Sequence, residues 1–341
     1  CTDYNANATL NIDLRIANKH DVAQNLKLYT TQDHTNRNYV RNLNHWATGV
    51  DVTCISPYHS SAPVNQRAGT LVTKRHVILA SHFQIVVGDS IRFITNDNQV
   101  VARKVIAKYD NTDWSQSYPD VEILLLDSDV PPGITPCKFL PPDYAKYLIN
   151  DGNGLPVLIT DQEEKGIVSE LSYIKSLPYS PSMFSLKMPT NIVRKALYED
   201  VISGDSGNPA FLILNGELVI LGTFTWGGSG SGTSLTYLAH LAAGGGIPNM
   251  SIDDQIAKTD AKVGISTNYK ISYFNFEAPT QNIDTYNSDI KLHTANMSLF
   301  LKTDYSDYSD ILITDISGRI VFKDKVVLTD FKYNLPASGI Y

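Results

Sequence analysis

Short apolar runs recur about every ten residues between residues 46 and 260, a spacing typical of strands joined by tight turns. Several of the runs alternate apolar and polar positions, and β-branched residues are common in them, as in VEILLL, LPVLIT and ELVILGTFTW. Glycine, proline, asparagine and aspartate separate the runs. The 3.6-residue period of an amphipathic helix is scarce. The pattern therefore predicts an all-β barrel or sandwich.

The chain changes character at both ends of this region. Residues 1–45 are polar, rich in asparagine and weakly patterned, which favours an N-terminal extension or a pro-segment. From about residue 266, short alternating segments continue, but turn-type Asp, Ser and Asn dominate and glycine is sparse. We therefore predict a main β domain over residues 46–265 and a small C-terminal β-sandwich over residues 266–341.

Composition and charge argue against a nucleic-acid partner and against a transmembrane segment. The chain has 341 residues, with 28 Lys+Arg against 35 Asp+Glu and a formal net charge of -7. Nucleic-acid binding needs a basic surface, so no nucleic-acid partner is expected. Residues 218–252 carry no charged side chain but are rich in Gly, Ser and Thr, so no transmembrane segment is expected either.

The cysteines leave their pairing open. Cys1, Cys54 and Cys137 are too few for a disulfide framework, and their spacing lacks the CxxC pattern of a metal site. One disulfide plus one unpaired thiol is one arrangement. No signal peptide is expected in the polar opening CTDYNANATL, and Cys1 marks either a processed lipoprotein or a chain boundary. No metal and no cofactor are expected.

The nonamer SGDSGNPAF at residues 203–211 is the strongest candidate for chemistry. Glycines flank Asp205 and Ser206, and an apolar strand follows. A tight glycine turn would expose the Ser206 hydroxyl and direct the N–H groups of Gly204 and Ser206 to one point, as an oxyanion hole requires. The alternative is an ordinary Gly/Asp/Ser turn.

Two further residues could complete a nucleophilic system. His82 follows small residues at a strand end in AGTLVTKRHVILASHF, and Asp120 directly precedes the apolar strand VEILLL. A nucleophilic serine needs a base, and the base needs a buried carboxylate to fix its tautomer. His76 is the alternative base, but its place beside Lys74 and Arg75 favours a structural or solvated role.

Four segments together resemble the trypsin-like serine proteases of the chymotrypsin fold. They are ASH at 80–82, DVEILLL at 120–126, GDSGNP at 204–209 and GTFTWGG at 222–228. The resemblance covers roughly residues 46–260. It implies two six-stranded antiparallel β-barrels with the site between them, and a protein or peptide substrate. It also implies that Thr225, Trp226 and Gly227 pair with the substrate backbone as an added strand.

The chain departs from that family at several positions. Phe83 stands where vertebrate members have a cysteine, and Asn208 replaces a glycine after the nucleophile. No Ile-Val-Gly-Gly-type N-terminus is evident near residue 46, although in trypsin-like zymogens that amino group pairs with the Asp before the serine. Asp205 is therefore expected to find another cation or to accept backbone N–H groups.

Side-chain specificity has two opposing signals. Asp200 lies six residues before Ser206, where trypsin-like members bind Arg or Lys side chains. Leu235 aligns where trypsins need glycine, and its volume would shorten the pocket. Asp200 also neighbours Glu199 and could be a solvated acid. We expect a slight preference for basic residues.

The C-terminal segments DILITDISGRIVFKD and FKYNLPASGIY resemble the sorting domain of type IX secretion substrates. The resemblance implies contact with a secretion machinery and a secreted or cell-surface location on a bacterial outer membrane. A generic β-sandwich accessory module is the alternative.

These features predict a secreted serine endopeptidase with Ser206 as nucleophile, His82 as base and Asp120 as its orienting carboxylate. The alternative is a catalytically silent protease-like module for binding or adhesion at the cell surface. A lipase or esterase would need the Gly-x-Ser-x-Gly elbow before a helix, which the chain lacks.

Overall fold

A computed structural model describes most of the chain: residues 4–17, 19, 22–57, 69–83, 85–110, 120–148, 152–177, 180–227, 233–236, 251–277, 290–295, 298–303, 308–314, 320–327 and 331–334. Strands predominate and helices are few, which confirms the β-rich class predicted from the sequence. Over the same residues, no helix has both the length and the apolar character needed to cross a bilayer.

The N-terminal segment packs against the rest of the protein. It contains α1 (Tyr4–Ile16), α2 (Val22–Asn25) and the hairpin of β1 (Tyr29–Asp33) with β2 (Asn38–Arg41). Tyr4, Ala8, Ile12 and Ile16 recur every fourth residue and are all buried. The boundary expected at residue 46 is therefore not a boundary in packing, and removal of the segment as a pro-segment stays a prediction.

In the described part of the chain, the first sheet has five strands. Their order across the sheet is β3-β4-β7-β6-β5. The strands are β3 (Thr70–Leu71), β4 (His76–Leu79), β5 (Ser90–Ile94), β6 (Val100–Asp110) and β7 (Glu122–Leu126). Leu79 at the end of β4 lies opposite Glu122 at the start of β7. The residues after β4 and those before β7 therefore meet at one end of the sheet.

The second sheet contains seven described strands in the order β12-β9-β10-β11-β14-β13-β8. They are β8 (Lys138–Phe139), β9 (Pro156–Thr160), β10 (Gly166–Leu177), β11 (Ser180–Lys187), β12 (Pro209–Leu214), β13 (Glu217–Gly227) and β14 (Thr233–Thr236). The short helix α3 (Ile192–Lys195) lies between β11 and β12. Because β12 pairs with both β9 and β13, the sheet curls back on itself.

The segment after the second sheet returns to the first. Helix α4 (Ile252–Ala261) begins at a capping box between Ser251 and Asp254 and buries Ile252 and Ile256 in the same core as β4 and β7. Beyond it, Ile271, Phe274 and Phe276 are also buried in the two main cores. The boundary expected at residue 265 thus falls inside a packed segment that extends to about residue 277.

The C-terminal segment forms its own small strand-rich unit. β15 (Ile290–Ala295), β16 (Ser298–Thr303) and β19 (Phe331–Asn334) make one sheet, and β17 (Tyr308–Thr314) pairs with β18 (Ile320–Val327). Ile311 and Ile313 are buried against Leu299, Phe322 and Phe331. The expected C-terminal strands are present, while Cys1 and the final Gly-Ile-Tyr lie outside the described residues.

Candidate active site

His82, Asp120 and Ser206 form one hydrogen-bonded series. His82 Nδ1 lies 2.6 Å from Asp120 Oδ2, and His82 Nε2 lies 2.7 Å from Ser206 Oγ. The imidazole side chain is 32% exposed, whereas the carboxylate is 4% exposed. The base is thus open to a substrate while its partner carboxylate is shielded from water. This is the arrangement that nucleophilic catalysis by a serine requires.

Asp120 is held by more than the histidine. Its Oδ1 accepts a hydrogen bond from the Ser81 hydroxyl at 2.8 Å and another from the His82 N–H at 2.9 Å. The pairing of β4 with β7 brings these groups together, because Ser81 and His82 follow β4 while Asp120 precedes β7. Three donors fix both carboxylate oxygens and so fix the plane of the imidazole.

The turn that carries Ser206 depends on glycine. Gly204 and Gly207 have φ angles of 106° and 85°, in the left-handed region that glycine adopts without strain. A Cβ on Gly204 would lie 2.5 Å from the Gln162 Oε1, so the end of that flexible side chain would have to move as well. Within the described residues, the N–H groups of Gly204 and Ser206 have no acceptor, which leaves both donors available to an oxyanion.

Asp205 accepts hydrogen bonds from backbone N–H groups. This is one of the two arrangements expected from the sequence, the other being an ion pair with a cation. Its Oδ1 accepts from the Gln162 N–H at 3.0 Å and its Oδ2 from the Ile202 N–H at 2.7 Å. Burial raises the pKa of this carboxyl above its usual value, against the lowering effect of the two N–H groups. These bonds connect the turn that carries Ser206, residues 203–207 (the candidate nucleophile turn), to the turn that follows β9.

Asn208, which stands where trypsin-like proteases have a glycine, stabilises the same turn. Its side-chain amide donates to the Asp205 carbonyl oxygen at 3.1 Å, and its Oδ1 accepts from the Thr160 hydroxyl at 3.0 Å. Its backbone carbonyl accepts from the Phe224 N–H at 2.8 Å. The asparagine is buried, and its hydrogen bonds connect the start of β12 to β9 and β13.

The turn after β9 contains a second buried carboxylate. Asp161 Oδ1 accepts the N–H groups of Glu163 and Lys165 at 2.9 and 2.8 Å. Burial, with a smaller contribution from the negative charge of Asp205, raises the pKa of Asp161 to about 7. In this turn Gln162 also donates from its side chain to the Ser203 carbonyl oxygen at 3.1 Å. The turn after β9 thus supports the nucleophile turn through hydrogen bonds from Gln162 to Asp205 and Ser203.

The backbone at Thr225–Gly227 lies next to the nucleophile turn. Gly207 N–H donates to the Phe224 carbonyl oxygen at 2.9 Å, which places the following residues beside Ser206. Trp226 lies opposite Ser234 of β14. Pairing of β12 with β13 ends at Pro209 opposite Thr223. The side chain of Trp226 lies outside the description, and the substrate-pairing role of this backbone segment stays a prediction.

Asp200 is exposed, and its carboxylate accepts a hydrogen bond from the Tyr198 hydroxyl at 2.8 Å. The neighbouring Glu199 pairs with Lys165 at 2.7 Å. The side chain of Leu235 lies outside the description; its backbone lies opposite Phe224 of β13 and Phe184 of β11. The choice between an acidic pocket that takes Arg or Lys side chains and a pocket shortened by Leu235 therefore stays a prediction.

His76 has a structural environment. It is fully buried, with its Nε2 3.0 Å from Asp260 Oδ1 and its Nδ1 2.7 Å from the Thr73 hydroxyl oxygen. Burial lowers the pKa of the imidazole, so the neutral form is favoured. The pair joins α4 to the first sheet.

Two residues of the site went unnoticed in the sequence. Ser81 gives the carboxylate a hydroxyl donor, and Gln162 contacts the nucleophile turn through its backbone and its side chain. The position of Ser81 beside His82 was a usable signal. Gln162 carried none, because its contact with Gly204 depends on how two distant turns pack.

Comparison with protein-family models and with curated proteins finds no match for this chain. The candidate function therefore rests on the residues and the geometry described above.

Proposed function

We propose that the chain is a serine endopeptidase that cleaves peptide bonds through Ser206, His82 and Asp120. The observation that carries the proposal is the unbroken series from the Ser206 hydroxyl through the imidazole to the buried Asp120, with contacts of 2.7 and 2.6 Å. A serine hydroxyl, a base and a buried carboxylate in this order are the groups that acyl transfer needs.

In the proposed reaction, His82 Nε2 removes the proton from Ser206 Oγ as the oxygen attacks the substrate carbonyl carbon. Asp120 keeps the remaining imidazole proton on Nδ1 and stabilises the imidazolium that forms. The imidazolium then protonates the leaving amine, which leaves an acyl group on Ser206. A water molecule, deprotonated by His82, attacks the acyl carbon and releases the carboxylic acid.

Charge on the substrate oxygen would be stabilised by the N–H groups of Gly204 and Ser206. Both are donors in a turn fixed by Asp205, so they would need little rearrangement during the reaction. An extended peptide would pair with the backbone at Thr225–Gly227 and so present its scissile bond to Ser206. This pairing favours protein or peptide substrates over small esters.

We also propose that the two sheets correspond to the two six-stranded barrels of the chymotrypsin fold, with the small C-terminal unit acting in export or surface attachment. The curled second sheet and the position of the triad between the sheets support the first part. The separate core of the C-terminal unit supports the second.

Labelling with a fluorophosphonate probe tests the activity. The purified chain should react at Ser206, as mapped by peptide mass spectrometry, and Ser206→Ala should remove the label and lower kcat on casein by roughly 10⁴–10⁶-fold. Ser203→Ala is the matched control, since Ser203 is an exposed serine in the same turn. This variant should keep both the labelling at Ser206 and the rate of casein hydrolysis.

Labelling at another serine, or casein hydrolysis by Ser206→Ala at the wild-type rate, would contradict the assignment of the nucleophile. Absence of labelling together with tight binding of unfolded peptides would instead favour the catalytically silent binding module.

A further inference from the structure

We propose that Cys54 and Cys137 are the site of a disulfide bond that links the segment before β3 to the segment connecting the two sheets. The chain has 3 cysteines. Cys54 and Cys137 are buried free thiols in the structure, and they are neighbours although they are far apart in sequence. This inference does not depend on the proposed peptidase activity.

The backbone places the two residues opposite the same position of β3. The Leu71 N–H donates to the Cys54 carbonyl oxygen at 2.9 Å, and the Cys137 N–H donates to the Leu71 carbonyl oxygen at 3.1 Å. In an antiparallel pair, one residue normally receives both of these bonds. Here the two bonds are divided between Cys54 and Cys137, which therefore lie next to each other at the edge of the sheet.

The side chains meet as well. Cys54 and Cys137 are 1% and 4% exposed and belong to the same core. A hydrogen bond between the two thiols is the largest of the causes that raise the pKa of Cys54 well above its usual value. Two buried thiols that interact, on backbone segments that both bond to Leu71, meet the first condition for a disulfide, which is that the two cysteines are neighbours.

Formation of the bond requires an oxidant, and a protein thiol–disulfide oxidoreductase is the class that supplies it. Two S–H bonds break and one Sγ–Sγ bond forms, while the S–S bond of the oxidant breaks and its two sulfurs take up the two electrons and two protons to become two thiols. Because both thiols are buried in the folded protein, exchange takes place while the chain folds, before the core closes.

The bond would close a loop from Cys54 to Cys137 that contains both His82 and Asp120. A long closed loop restricts the unfolded chain and so stabilises the folded one. The first sheet, which holds the base and its carboxylate, would then remain assembled under conditions where the reduced chain opens. We expect reduction to lower Tm by roughly 5–15 °C.

Peptide mapping tests the proposal on the full chain. The protein is refolded with reduced and oxidised glutathione, unfolded without reductant and alkylated with N-ethylmaleimide. The tryptic peptides 42–67 and 109–138 should appear joined and unlabelled, and should separate and accept label only after reduction. In Cys137→Ala, treated identically, Cys54 should accept label or carry glutathione.

Recovery of both wild-type peptides fully labelled without reduction, or of either one joined to Cys1, would overturn the proposal. Reductant should lower the Tm of the wild type and leave the Tm of Cys54→Ala/Cys137→Ala unchanged. An equal change in both proteins would also overturn the proposed disulfide. The peptide map needs only the wild-type chain, so it decides the question even if the double variant fails to fold.

Discussion

At the level of single residues, sequence and structure agree best where chemistry demands a particular side chain. His82, Asp120 and Ser206 were predicted from their types and order, and the structure brings them together. Ser81 was not predicted as a functional residue, although its position beside His82 was a usable signal. Its role depends on the direction of its hydroxyl, which is set by the pairing of β4 with β7.

Ser81→Ala tests that role. Loss of the hydroxyl removes a hydrogen bond to a charged group and leaves Asp120 Oδ1 with one donor, so kcat should fall about tenfold with KM nearly unchanged. Negative charge would also concentrate on Oδ2, favour the imidazolium and move the acidic limb of the kcat/KM profile to higher pH.

The measurement is the full pH profile of kcat/KM on a peptide substrate. Ser81→Thr retains a hydroxyl and should restore most of the rate. A wild-type rate and an unmoved acidic limb in Ser81→Ala would show that the hydroxyl does not position Asp120.

Asp161 gives a stability prediction with a defined sign. Burial raises the pKa of its carboxyl to about 7, so the folded protein holds this proton at pH values where the unfolded chain has released it. Its contribution to stability therefore falls as pH rises from about 4 to about 7, by roughly 2–4 kcal/mol, and is constant above that range.

Asp161→Asn should remove this dependence. Both N–H groups at this turn donate to Oδ1, which the amide keeps, while the ionisable oxygen is lost. We expect the variant and the wild type to have similar Tm near pH 4, and the variant to melt about 5–10 °C higher at pH 8. Parallel Tm curves from pH 4 to 8 would contradict the raised pKa.

At the level of elements, the β-rich character was predicted and helix α1 was missed. Its buried face includes Asn11 and Arg15, which hide the apolar period in the sequence. Asn11 donates to the Asn7 carbonyl oxygen at 3.0 Å, and Arg15 Nη1 donates to Asn11 Oδ1 at 3.0 Å. These bonds let polar side chains occupy a buried face, which a hydropathy pattern cannot reveal.

Two substitutions in α1 measure its contribution. Ile12 is fully buried, so Ile12→Ala should lower the free energy of unfolding by about 2–5 kcal/mol through lost contacts and a cavity. Leu14 is 55% exposed on the same helix, and Leu14→Ala should change the free energy of unfolding by less than about 0.5 kcal/mol. Equal effects in urea unfolding would mean that the helix does not belong to the core.

At the level of the whole molecule, domain boundaries were the least predictable feature. Changes in composition near residues 46 and 265 suggested divisions, yet Tyr4, Ile16, Phe274 and Phe276 share cores with the two sheets. Composition reports what a segment is made of, whereas packing depends on which distant surfaces it covers. Only the unit from residue 290 onward has a core of its own among the described residues.

Truncation distinguishes a main unit that ends near residue 265 from one that extends to about residue 277. A chain ending after Glu277 keeps the buried aromatic residues and should retain the Tm and peptidase rate of the main unit. A chain ending after Lys262 loses Phe274 and Phe276, and also Thr267, whose N–H and hydroxyl donate to Asp260 at 2.8 and 2.7 Å. It should melt at least about 10 °C lower.

Comparison of thermal melting and peptide hydrolysis for the two truncated chains checks this. Equal Tm values would show that residues 263–277 are dispensable and that the unit ends at α4.

The contact between Tyr4 and Phe276 brings the first helix next to the last packed residues. The Tyr4 hydroxyl donates to the Phe276 carbonyl oxygen at 2.5 Å, and the two rings lie 4.7 Å apart. A short linker could therefore join Glu277 to the start of α1, with new ends opened at the exposed tip of the β1–β2 hairpin near Asn36. The order in which the elements follow one another would change while every contact of the triad stayed the same, so this unit is a candidate for circular permutation and for insertion into a loop of another protein.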